Sequence, residues 1–199
     1  MYLQKPLSQY IEDLAARVPA PGGGSAAALV GALGISLLEM VANYTVGKEK
    51  YKAVEKDMQK ALVEIGALRK KLTSLVDEDV EVYKKLSSVY KIGEKNALQK
   101  ALKEAAAVPL DICDSCHRGM ILCPELLEKG NVNLVSDVGV AASLLAAGFE
   151  SALHNVEINL KQIEDKDFIV KVSKILEPQK LEVKVIKEQI EKNVKKILE

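Results

Sequence analysis

Tryptophan is absent from this 199-residue chain and phenylalanine occurs only twice, so the core must be assembled from Leu, Val, Ile and Ala. Net charge is absent too, because 28 basic residues balance 28 acidic ones. With no basic patch and no aromatic platform, nucleic acid is not expected as a partner. Cysteine is scarce. The three present are expected to be free thiols in a reducing cytoplasm. Cys113-Asp-Ser-Cys116-His117 matches the c-type haem attachment pattern. The opening MYLQKPLSQY has no apolar export segment, however, and the match lies inside a helical pattern, so ordinary helix cysteines are expected. No second ligand pair has zinc spacing, and no metal is expected. Only one apolar run, Ala26 to Val46, is long enough to suggest a membrane span. Ser36, Glu39 and Asn43 interrupt it and no anchor residues flank it, so a buried helix is expected and no membrane contact.

What is present is 48% hydrophobic and 28% charged, which suits one globular domain over residues 1–199. No segment alternates apolar and polar residues for long, and helical spacing recurs throughout. A first helix is expected from about Ser8 to Arg17, with Leu7, Ile11, Leu14 and Val18 on one side and Pro19 and Pro21 ending it. Gly22, Gly23 and Gly24 then form a loop feeding a buried small-residue helix from Ser25 to about Val46. After the polar break Gly47 to Lys50, a long amphipathic helix covers about Tyr51 to Tyr90. The next runs from near Glu94 to about Lys129, with a kink or restart at Pro109. Gly130 stops it, Ser136 or Asn133 is a candidate cap, and a Gly/Ala/Ser-rich helix follows to about Gln162. Residues 165–199 read as a C-terminal amphipathic Lys/Glu helix bent near Pro178. The expected fold is an all-α bundle of five to six helices.

Several residues are candidates for chemistry. The unpaired N–H groups where the glycine loop meets its helix can hold an anion or a developing oxyanion. Asp79 shares its helix face with Leu72, Leu75, Val76, Val82, Tyr83 and Leu86. A carboxylate within an apolar stripe has its pKa raised unless a partner offsets the desolvation. Asp79 therefore reads as a buried pair or cap, or as a catalytic acid or base. Asp77 points roughly to the other side and is expected to be a solvated charge. Asp137, Ser151, Asn155 and Asn159 form a polar line on the helix after Gly130. Asp137 and Asn155 are roughly 27 Å apart along a straight helix, so they cannot serve one small group together. Glu39 and Asn43, four apart on the buried helix, leave the same choice between core hydrogen bonding and ligand contact. His117 and His154 lie near no nucleophile arrangement, and the glycine loop lacks the Lys-Ser/Thr ending of a P-loop.

The ordered motifs Pro21-Gly-Gly-Gly-Ser25, Met40-Val-Ala-Asn43, Thr45-Val-Gly-Lys48 with Tyr51, and Val76-Asp-Glu-Asp79 resemble the formiminotetrahydrofolate cyclodeaminase family. Val108-Pro-Leu110, Gly130-Asn131 with Ser136-Asp137, and Asn155-Val-Glu-Ile-Asn-Leu160 continue the likeness, which spans about Leu7 to Leu160. That family includes stand-alone methenyltetrahydrofolate cyclohydrolases and the cyclodeaminase half of a bifunctional enzyme. The resemblance implies an all-helical homodimer that binds a reduced folate, with Asp79 as acid/base and no metal or redox cofactor. It implies substrate contacts at Gly22, Gly23, Gly24, Ser25, Lys48, Asn131, Asp137, Asn155 and Asn159. Lys48, Arg118 or the glycine helix end would receive the anionic tail. Nothing corresponds to a formiminotransferase domain, so that activity would reside on a separate partner chain. Two reactions fit: formimidoyl cyclodeamination, and methenyl hydrolysis as the alternative. A non-catalytic helical scaffold dimer is the rival from another class, and a cytoplasmic location is expected.

Overall fold

Glycine and proline divide the chain into helices, and side-chain size decides how closely those helices approach. The computed structural model describes residues 1–199, and it contains helices and turns with no strand. Six α-helices follow in order: α1 (Leu7–Ala15), α2 (Gly23–Asn43), α3 (Glu55–Ile92), α4 (Lys95–Lys129), α5 (Val135–Leu160) and α6 (Lys166–Leu198). Short 3-10 turns cover Tyr2–Gln4, Glu49–Val54 and Val132–Leu134.

α2 is the central helix, packed against α3, α4 and α5. Its length and apolar character alone would allow it to cross a bilayer, and α5 passes the same test. Both instead contribute to a single apolar core, where Ile35, Leu38, Val41, Leu145 and Phe149 are fully buried. Each such side chain contributes about 1.5–3 kcal/mol of transfer free energy. The small residues set the spacing. A Cβ at Gly148 would lie 3.1 Å from the Gly31 nitrogen and 3.0 Å from the Cys116 sulfur, so α2, α4 and α5 meet where side chains are missing.

Several boundaries differ from the sequence expectation. α2 starts at Gly23 rather than Ser25, because the glycines can join the first turn. Residues 49–54 form a 3-10 turn before α3 begins at Glu55. α4 runs through Pro109 and Pro124, and α6 through Pro178, without a helix break. Neither Ser136 nor Asn133 caps α5; Asn131 instead caps the preceding turn through the Asn133 N–H at 3.1 Å. Asp165 caps α6 through the Phe168 N–H at 3.0 Å. The C-terminal segment is part of the bundle: Val172, Leu176, Val183, Ile186 and Ile190 of α6 are buried against α4 and α5. The α1 stripe does not enter the core. The helix ends at Ala15 rather than Arg17, which leaves Val18 beyond it; Leu7, Ile11, Leu14 and Val18 are all exposed, and only Tyr10 of α1 is buried.

Candidate active site

The N-terminus of α2 has no side-chain cap of its own, since Gly22 offers none. Its exposed N–H groups therefore need a partner from elsewhere. That partner is Asp79 of α3, whose Oδ2 accepts the Ser25 N–H at 2.9 Å. The anion expected at this helix end is thus supplied by the protein itself. The Ser25 hydroxyl, fully buried, donates to the Val76 carbonyl at 2.8 Å and lies 3.2 Å from the Tyr10 hydroxyl. Ser25 thereby pins α2 to α3 one turn before Asp79. Gly24 is required for the approach, because a Cβ there would stand 2.1 Å from Asp79 Oδ1.

Asp79 opens into a cleft of about 440 Å³. Pro19, Ala20 and the glycines form one wall, and α3 contributes Val82, Tyr83, Leu86 and Tyr90. α4 adds Ala105 and Pro109, and α5 closes the far side with Asn155, Ile158, Asn159 and Gln162. The Asn155 amide donates to the Ser151 carbonyl at 2.9 Å, and the Asn159 amide to the Ala105 carbonyl at 3.3 Å. The Tyr90 hydroxyl donates to the Gln162 side chain at the opposite end from Asp79. No Lys, Arg or His lines the cleft. Burial pushes the Asp79 carboxyl above the usual carboxylate range, and the Ser25 N–H partly opposes this by stabilising the anion. A carboxyl whose pKa burial raises, facing polar amides and aromatic rings, is equipped to accept and return a proton.

Gly22, Gly23, Gly24, Asp79, Asn155 and Asn159 meet in this cleft, with Ser25 directly behind it. Lys48, Asn131 and Asp137 lie outside it. α2 is about 30 Å long, and these three sit toward its far end. Lys48 is exposed, with its ammonium 5.6 Å from the Tyr44 ring centre. Asn131 is buried in a polar knot, taking the Thr45 hydroxyl oxygen at 2.9 Å on its N–H and donating its amide to the Tyr44 carbonyl at 3.1 Å. Arg118 pairs with Glu64 at 2.9 Å, and Glu39 pairs with Arg69. His117 meets Glu182 of α6 at 2.8 Å. The three cysteines are free and buried, and burial pushes the Cys113 and Cys123 thiols up to about 12.

The Asp77 expectation is overturned. Its side chain is 6% exposed and accepts the Tyr2 N–H at 2.5 Å and the Leu3 N–H at 3.4 Å, because the N-terminal turn folds over it. Tyr83 and Tyr90 were missed as cleft residues. The signal was their spacing, four and eleven residues after Asp79 on one helix face.

Fold and cleft together define a class, the all-helical proteins that keep one desolvated carboxyl at a helix N-terminus in an otherwise uncharged cleft. Within it, the chain belongs to the formiminotransferase-cyclodeaminase family, whose pattern matches residues 6–177. It is 37% identical over 198 residues to the methenyltetrahydrofolate cyclohydrolase of Methylorubrum extorquens, covering 95% of each chain. It is 34% identical over 175 residues to the formimidoyltransferase-cyclodeaminase of Rattus norvegicus, a match that takes in 83% of this chain and 32% of that longer protein. Among solved structures it is similar to the formiminotetrahydrofolate cyclodeaminase of Thermotoga maritima, with a TM-score of 0.95 and 35% identity over the whole of both chains.

Proposed function

We propose that this chain is an enzyme of one-carbon folate chemistry that converts 5-formimidoyltetrahydrofolate to 5,10-methenyltetrahydrofolate and ammonia. The observation that carries the reading is Asp79, a desolvated carboxyl at the α2 end of an uncharged cleft. N10 of the folate attacks the formimidoyl carbon, which forms the five-membered ring. The formimidoyl group enters protonated; Asp79 takes the N10 proton and passes it to the resulting exocyclic NH2, which leaves as ammonia with its bonding pair and the methenyl cation remains. One group acts as base and then as acid, so a pKa above the ordinary carboxylate range serves both halves. No step uses a metal or a redox cofactor. Gly22 to Gly24, Asn155 and Asn159 contact the substrate, and Tyr83 and Tyr90 offer aromatic faces to its rings.

The full-length match to a protein named methenyltetrahydrofolate cyclohydrolase favours a second reading on the same site. There Asp79 holds the methenyl cation and steers water to its carbon. Purified protein supplied with each substrate, followed by methenyltetrahydrofolate absorbance, separates the two: it rises with the first and falls with the second. No change with either refutes both.

The chain works in the cytoplasm as a homodimer. The exposed stripe of Leu7, Ile11 and Leu14 on α1, with Val18 just beyond it, is the apolar surface a second copy would cover. Light scattering on the purified protein measures the assembly directly, and a monomeric mass refutes it.

A further inference from the structure

Asp77 is a buried acid that the proton chemistry does not use, and it has no cationic partner. Its two oxygens instead take the Tyr2 and Leu3 N–H groups. The segment it holds crosses to the cleft. The Tyr2 hydroxyl donates to the carbonyl of Ala20, a cleft-wall residue, at 3.2 Å. The Tyr2 ring stands edge-on to Tyr10 with centroids 5.4 Å apart, and the Lys5 ammonium lies 4.6 Å from the Tyr2 ring centre. Asp13 sits beside the same hydroxyl, its carboxyl held below the usual range by Gln9, Tyr2 and Lys5. Tyr10 in turn reaches the Ser25 hydroxyl. The loop from Ala16 to Gly22 has few bonds of its own. Ala16 closes the end of α1 and Gly22 opens α2, while Tyr2 bonds the stretch between them.

We infer that residues 2–10 form a positioning strap, anchored on Asp77, that fixes the Pro19–Gly22 wall of the cleft through Tyr2. Asp77 and Tyr2 are positioning residues, acting on substrate through Ala20 rather than by contact. The strap rests on the folate-enzyme reading only where turnover is the readout.

The test compares Tyr2→Phe, Asp77→Asn and Asp77→Ala with wild type in the full chain. Three quantities are measured: steady-state turnover of 5-formimidoyltetrahydrofolate and of methenyltetrahydrofolate, tryptic release of the fragment ending at Arg17 under native conditions, and Tm. Losing one hydrogen bond to the wall raises KM roughly 2- to 12-fold in Tyr2→Phe, with kcat unchanged. Cleavage after Arg17 speeds up by a similar factor, because the loop opens locally. Asp77→Ala shows the larger effect, and Asp77→Asn, which keeps an acceptor for Tyr2, stays near wild type. If Asp77→Ala does not fold, Tyr2→Phe decides alone. A lowered Tm with KM and cleavage unchanged marks a purely structural bond and overturns the strap. So does a raised KM with the loop no more cleavable. A wild type that turns over neither substrate removes the folate reading, and cleavage after Arg17 still decides the strap.

Discussion

Gly24→Ala tests the packing at the α2 end with a single methyl group. The added Cβ would lie 2.1 Å from Asp79 Oδ1, 2.7 Å from Cγ and 3.0 Å from Oδ2. The carboxyl has to move by about 1 Å or more, and its bond from the Ser25 N–H is stretched or lost. Overpacking of this kind costs about 1–3 kcal/mol. Alanine recovers roughly 0.5–1 kcal/mol over glycine in a helix, so the net loss is about 0–2.5 kcal/mol. At roughly 2–4 °C per kcal/mol for a domain of this size, Tm falls by no more than about 10 °C. The rate responds more strongly, because a catalytic group displaced by about 1 Å loses on the order of 100-fold. Gly66→Ala is the control. Its nearest atom would be Glu39 Oε1 at 3.8 Å, so the variant gains helix stability and keeps wild-type turnover. The assay is methenyltetrahydrofolate absorbance alongside calorimetric Tm. Wild-type kcat in folded Gly24→Ala would refute the placement of Asp79 against this helix end.

Three further outcomes are expected. Because burial raises the Asp79 carboxyl in the folded state, stability from its protonated form is complete below the unfolded carboxylate range and is lost as pH rises through the folded pKa. Asp79→Asn removes that loss, so its Tm advantage over wild type grows with pH; a pH-independent difference contradicts the desolvation. Gly148→Ala forces a Cβ against the Gly31 backbone and the Cys116 sulfur and destabilises by about 1–3 kcal/mol, read by urea unfolding, with KM unchanged. Asn131→Ala leaves the Tyr44 carbonyl, the Tyr51 hydroxyl and the Asn133 N–H short of a partner and lowers Tm without raising KM, whereas Asn155→Ala raises KM; the reverse pattern would move the substrate to the far end of α2.

The helices were legible because their signals are local. Proline and glycine punctuation and the 3.6-residue spacing located all six, and misjudged mainly the ends. The prolines at 109, 124 and 178 did not break their helices; Val108 and Ile112, Cys123 and Leu126, and Leu176 and Val183, buried before and after each one, hold the helix to the bundle. Asp79 was legible because a carboxylate in an apolar stripe is a local contradiction. Asp77 was misread for a non-local reason: the N-terminal turn that buries it comes from about 75 residues away, and no periodicity on α3 announces it. The residues grouped by motif separate in space because α2 and α5 are 21 and 26 residues long: Lys48, Asn131 and Asp137 gather near the end of α2 and the start of α5, and Asn155 and Asn159 lie near the end of α5. Motif order carries no distance, and 1.5 Å per residue does.

The most direct measurement is turnover of 5-formimidoyltetrahydrofolate and of methenyltetrahydrofolate by wild type and Asp79→Asn, with calorimetric binding of 5-formyltetrahydrofolate to both. Proton transfer through Asp79 predicts that the variant folds, binds the ligand with affinity close to wild type and loses roughly 100- to 10,000-fold in kcat. Undiminished turnover by Asp79→Asn would contradict the assignment of proton transfer to the carboxyl at the α2 end.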